Sequence, residues 1–118
     1  MPNQTALDST FHALADPTRR AVLAALADGP RAASDLASPF DMALPSFLQH
    51  LKVLEDSALI ATEKQGRRRV CRLRPETFAA TADWMAAERA RWEGLLDRLG
   101  DWLDRTAAPD THSERTKE

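Results

Sequence analysis

One cysteine, four glycines and three histidines are all that this 118-residue chain holds of those residue types. A lone Cys71 excludes an internal disulfide and any cysteine-cluster metal site. Four glycines are too few for a phosphate-cradling glycine loop. The histidines, His12, His50 and His112, are scattered without metal-ligand spacing. No Ser/His/Asp arrangement or paired-carboxylate setting stands out, so catalysis has little support. No apolar run approaches the ~18 residues of a membrane span, and the first ten residues, MPNQTALDST, lack the basic and apolar regions of a signal peptide. The expectation is one cytoplasmic, non-enzymatic domain, 1–106, with a polar disordered tail, 107–118, and no cofactor, metal or membrane partner.

What is present is an uneven distribution of charge. The net charge is −2, yet residues 45–74 hold seven Lys/Arg against three Asp/Glu. Residues 1–44 hold three against five, and residues 75–118 hold six against ten. Local potential, rather than total charge, attracts a phosphate backbone. The basic window lies within MALPSFLQHLKVLEDSALIATEKQGRRRVCRLR, residues 42–74.

Apolar spacing organises the chain. Leu7, Phe11 and Leu14 predict a short first helix after a loose start at 1–6. Asp16-Pro17 suits an N-cap and first helical position, and Asp28-Gly29-Pro30 stops the second helix. A third helix covers 33–37, before Pro39. A fourth covers about 43–56, with Pro45 tolerated in its first turn. Strands at about 60–64 and 70–73 flank Gln65-Gly66-Arg67-Arg68, the pattern of a hairpin. Residues 76–106 read as one helix of ~45 Å. Along it Phe78, Met85, Trp92 and Leu99 recur every seven residues, beside Ala82, Leu96 and Leu103, with Leu95 and Trp102 widening the stripe. So long a stripe needs a partner helix, most simply its own copy. The fold class expected is mainly α with a two-stranded β-hairpin: a winged helix-turn-helix, dimeric through its terminal helices.

On the fourth helix, Leu44, Phe47, Leu48, Leu51 and Leu54 cluster on one face, and Pro45, Ser46, Gln49, Lys52, Val53 and Asp56 on the other, with His50 at the border. A polar outer face is ordinary for a surface helix. Followed by a basic hairpin, it suits a helix laid in the major groove of double-stranded DNA. Ser46 and Gln49 are expected to read base edges, and His50 and Lys52 to meet phosphate. Val53 fits either a thymine methyl or packing on another helix. Arg67, Arg68 and Arg69 at the hairpin tip are expected to meet phosphate or a narrow minor groove, against the plainer reading of a charged, solvated turn. Cys71 is expected to be buried and inert, with redox sensing the minority reading. A winged-helix module that binds another protein, with no DNA role, is the alternative.

The motifs LADPTRRAVLAAL, SDLASPFDM, HLKVLEDSALI and the GRRR wing, in this order over about residues 7–105, resemble the ArsR-type winged helix-turn-helix repressors. The resemblance implies a homodimer built from the first and last helices on a palindromic operator, with recognition helix 43–55 and wing 60–73. The corresponding dimer contacts are Leu7, Phe11, Leu14, Phe78, Met85, Trp92, Leu96, Leu99 and Leu103. The Trp84…Arg89…Trp92 pattern looks like a branch without metal sites. The third-helix stretch that often carries a metal-binding cysteine pair reads RAASDLA here, and the last helix has no histidine. Ala43 and Leu48 stand where many members have serine, and Ala58 where glycine commonly ends the recognition helix. The inducer stays open: none, a small apolar molecule at the dimer interface, a partner protein, or an oxidant at Cys71.

Overall fold

A computed structural model of the chain describes residues 4–107. Of the tail expected at 107–118, residues 108–118, with His112, lie outside them. The elements run α1 (Gln4–Leu14), α2 (Pro17–Leu26), β1 (Arg31–Ala32), α3 (Ala33–Ala37), α4 (Leu44–Asp56), β2 (Ile60–Gln65), β3 (Arg68–Leu73) and α5 (Pro75–Thr106). Residues 4–6, expected to be loose, begin α1.

The three strands form one antiparallel sheet in the order β1-β3-β2. The sequence shows only the hairpin. β1 has two residues, too few for any alternation to be read, and it exists because Arg31 and Ala32 pair with Cys71 and Val70. β2 and β3 also reach further than expected. Gln65 pairs with Arg68, leaving a two-residue turn of Gly66 and Arg67. Gly66 has φ +63° at the first central position, a conformation glycine adopts without Cβ strain and the pattern of a type II′ turn.

The helix ends follow local chemistry. Asp16 caps α2 by accepting the Arg19 N–H at 3.0 Å. Ala43 sits at the N-cap of α4 with no side-chain bond to offer. The far end of α4 closes as a Schellman motif: Leu59 N–H bonds Leu54 C=O, and Ala58 N–H bonds Glu55 C=O, both at 3.0 Å. The motif requires a left-handed residue, and Ala58 supplies it at φ 62°, carrying a Cβ where glycine would carry none.

Residues up to Asp83 form one unit, and the helix from Trp84 onward forms another. In the first, Val22, Phe47, Leu54, Leu59, Ile60 and Cys71 are fully buried, with Leu23, Leu26, Leu36 and Leu51 beside them. Phe40 stacks at a tilt on Phe47, ring centroids 5.5 Å apart. The core therefore joins α2, α3, α4 and the sheet, and it turns one face of α4 inward. Thr77 on the first turn of α5 donates to the Ala58 carbonyl and ties that helix to the end of α4. In the second unit, Met85, Trp92, Leu95, Leu96, Leu99, Trp102 and Leu103 are all exposed.

The expected dimer contacts thus divide. Leu7 is buried in the protomer, and Leu14 and Phe78 pack on its core, so these three side chains already have partners within the chain. Heptad spacing cannot separate them from Met85, Trp92, Leu96, Leu99 and Leu103, which are exposed; Phe11 is exposed too but has an interaction within the chain.

Candidate nucleic-acid interface

Phe47, Leu51 and Leu54 point α4 into the core. Pro45, Ser46, Gln49 and Lys52 are exposed on it, as expected. Lys52 lies 3.4 Å from Asp56 one turn on, an exposed pair of little energetic weight. Three apolar residues are not where the pattern put them. Leu44 and Leu48, grouped with the inward leucines, are 55% and 42% exposed. Val53, grouped with the outer face, is half-buried against the core. The inward direction is rotated toward the α1 side because α4 packs on α1 and α2 as well as on the sheet. A helical projection shows which residues share a face but not where the neighbouring helices lie.

His50, half-buried at the border of that face, is engaged within the protomer. Its Nδ1 lies 3.1 Å from Nη1 of Arg19 and 3.7 Å from Oδ2 of Asp16. Arg19 is a buried cation, 9% exposed, that the sequence reading did not single out. Its Nε donates to the Ala13 carbonyl at 2.8 Å and its Nη2 to the His12 carbonyl at 3.0 Å. Those carbonyls lie at the end of α1, where intrahelical donors run out, and the His12 carbonyl also accepts the Ala15 N–H at 3.2 Å. Beside it, Arg20 donates to the Leu14 carbonyl at 2.8 Å. A guanidinium only donates, so in this contact Nδ1 of His50 is the acceptor. Arg19 therefore clasps the end of α1, the start of α2 and the middle of α4. The only signal in the sequence was Asp16 three residues ahead, which marks the cap but not the reach of the side chain. The N–H bond from Arg19 holds the Asp16 carboxyl below its ordinary value of 3.8, against the opposing effect of burial, with the nearby Arg19 charge adding to it.

The wing is less uniform than a tip of three arginines. Arg67 alone occupies the turn, and it makes no hydrogen bond or ion pair among the described residues. Arg68 and Arg69 belong to β3, where successive residues face opposite sides of the sheet. Arg68 pairs with Asp35 of α3 at 3.1 Å, and Arg69 donates to Thr62 on β2 at 2.9 Å. Thr62 in turn donates to Glu55 of α4 at 2.7 Å, so the wing is tethered to the helix it flanks. Cys71 is fully buried on β3, and burial pushes its thiol pKa up, so thiolate is scarce and access closed. Among the described residues no group of three or more His, Cys, Asp or Glu is placed to hold a metal ion, and no helix is long and apolar enough to cross a membrane.

Residues 14–63 match a family model described as a helix-turn-helix domain. The chain is 44% identical over 73 residues to the HTH-type transcriptional regulator Rv2034 of Mycobacterium tuberculosis, covering 62% of this chain and 68% of that one. It is 30% identical to the transcriptional repressor SdpR of Bacillus subtilis, covering 67% and 88%. A crystal structure of an ArsR family transcriptional regulator superposes with a TM-score of 0.74 at 52% identity, covering 78% of this chain and 95% of that one. This chain belongs to the ArsR family of winged helix-turn-helix transcriptional regulators. A second ArsR-like regulator, from Rhodococcus, matches 88% of the chain at a TM-score of 0.71 and 27% identity. In ArsR terms, α3 and α4 are the helix-turn-helix and β2–β3 the wing. The family is one of regulators, which is not an enzyme class.

Proposed function

We propose that this ArsR-family protein is a homodimeric repressor that binds a palindromic operator, with α4 in the major groove and the β2–β3 wing on flanking phosphates. The observation that carries this reading is a single surface. Gln49, Ser46 and Lys52 stand exposed on α4, and a hairpin tethered to that helix bears the unpaired Arg67. Base-edge readers and an exposed cation beside them are the two components of specific binding. The dimer rests on the exposed stripe from Met85 to Leu103, an apolar area larger than solvent-facing helices normally carry. A two-fold dimer presents two α4 helices, which is why the operator is a palindrome.

Fluorescence anisotropy with operator and scrambled duplexes across a salt series tests the division of labour. Gln49→Ala weakens the operator by about 1–3 kcal/mol and leaves scrambled duplex nearly unchanged. Arg67→Ala weakens both and lowers the salt slope by about one unit per phosphate contact, doubled when both subunits engage. Arg68→Ala lowers it less, because Arg68 must first leave Asp35. An operator affinity indifferent to Gln49 together with a salt slope indifferent to Arg67 places the DNA surface elsewhere. Absence of any salt-dependent retention on duplex DNA favours a protein-binding module instead.

A further inference from the structure

The outer face of α4 carries an apolar pair that the protomer leaves in water. Leu44 and Leu48 are 55% and 42% exposed, while Phe47, Leu51 and Leu54 on the same helix are buried. Leu44, Leu48 and Lys52 follow one another at intervals of four, so they lie along one strip of the helix. Gln49 lies beside that strip. The strip runs from two apolar side chains near the helix N-terminus to a cation further along.

That order matches what a reading helix meets. Its N-terminal half approaches base edges, and later positions approach the backbone. Leucine has no donor or acceptor, so it has no means to distinguish the hydrogen-bonding groups of guanine, adenine or cytosine. In the major groove the one apolar feature of the code is the 5-methyl group of thymine. A leucine seated against that methyl removes apolar surface from water on both partners, and a leucine seated against an amino or carbonyl edge strands that group without its water. Val53, the other apolar candidate on this helix, is half-buried against the core and faces elsewhere.

We infer that Leu48, flanked by Leu44, reads a thymine 5-methyl group in each half-site and is a specificity-determining residue of this chain. The inference rests on the DNA-binding reading above. Leu48 accounts for discrimination that Gln49 and Ser46 leave open, because hydrogen-bonding side chains do not register the methyl.

The test removes the methyl without touching any hydrogen bond. The full chain first selects its operator from a random duplex pool, and each thymine of that operator is then replaced singly by deoxyuridine. One position per half-site is expected to weaken wild-type binding about three- to tenfold, the effect of burying part of one leucine. Leu48→Ala is expected to weaken the thymine operator by a similar factor and to bind thymine and uracil duplexes equally. Gln49→Ala, weaker overall, keeps the sensitivity to that same replacement. Leu48 is exposed, so the variant is expected to keep the wild-type melting temperature, and a matched melting curve accompanies each titration. The inference is overturned when no thymine replacement weakens the wild type, or when Leu48→Ala remains as sensitive as the wild type. A pool that yields no enriched sequence overturns the DNA-binding reading itself, a different result from an operator that ignores its methyl groups.

Discussion

Removing the Arg19 side chain is expected to be among the most destabilising single changes that touch no core hydrophobe. The guanidinium makes three bonds, to the Ala13 and His12 carbonyls and to Nδ1 of His50. Arg19→Met keeps much of the stem's packing and deletes all three. A buried acceptor left without its donor costs about 1–3 kcal/mol. The His12 carbonyl keeps the Ala15 N–H at 3.2 Å, and the His50 bond lies in partly buried surroundings where water offers some replacement, so the main loss falls on the buried Ala13 carbonyl. The sum is roughly 2–4 kcal/mol, a large share of the ~5–15 kcal/mol that holds an ordinary domain folded. Arg19→Lys keeps a cation but not the planar fork, and one ammonium on a shorter, flexible stem serves one or two of the three acceptors. It should therefore lose about half as much. Urea unfolding at fixed protein concentration measures both, since a dimer's stability depends on that concentration. A cycle with His50→Ala isolates the Arg19–His50 bond, expected to couple by about 1 kcal/mol. A loss below 1 kcal/mol for Arg19→Met, with an unchanged urea slope, would refute the argument that this cation holds α1, α2 and α4 together.

Four further outcomes follow from particular residues. Ala58→Gly removes the Cβ from a left-handed position at φ 62°, and is expected to stabilise by about 0.5–1 kcal/mol, read as a rise in melting temperature of a few degrees. Ala43→Ser gives α4 the side-chain cap it lacks and should add about 1 kcal/mol in the same melt. Asp16 has a folded-state pKa below its ordinary 3.8, so its stabilising contribution is present above that value and is lost as pH falls through the folded-state pKa. Asp16→Asn should consequently flatten the acid limb of the stability curve while differing most from wild type at neutral pH, and identical acid limbs would contradict the assignment. Leu99, half-exposed on the stripe, is expected to lie against the partner subunit; Leu99→Lys loses roughly 1 kcal/mol of apolar burial per protomer and brings a charge into the contact. Sedimentation of this variant should show monomer at micromolar concentrations where wild type is dimeric, and an unshifted dimer would move the interface elsewhere.

Much of the fold was legible because the signals were local. Asp16-Pro17 and the Gly29-Pro30 stop bracket a helix through chemistry that acts within one turn. Gly66 announced the hairpin because left-handed φ is easy only for glycine. The clustering of Lys and Arg in 45–74 placed the wing beside the reading helix, since charge is counted along the chain whatever its shape. Ala58 in place of glycine was visible as a point of strain for the same reason, and its φ carries it.

What the tertiary structure decided were matters of direction. Helical spacing put Leu48 with Phe47 and Leu51, but which side of α4 is covered depends on where α1 and α2 lie, and these leave Leu48 open and close over Val53. Three arginines in a row looked alike until strand pairing put Arg67 in the turn and assigned Arg68 to Asp35, thirty-three residues away. Two residues became β1 only because β3 offered an edge to pair with. Arg19 and His50, thirty-one residues apart, met only on folding. Composition and short-range periodicity are properties of neighbours in the chain, whereas burial, ion pairing and strand edges are properties of neighbours in space.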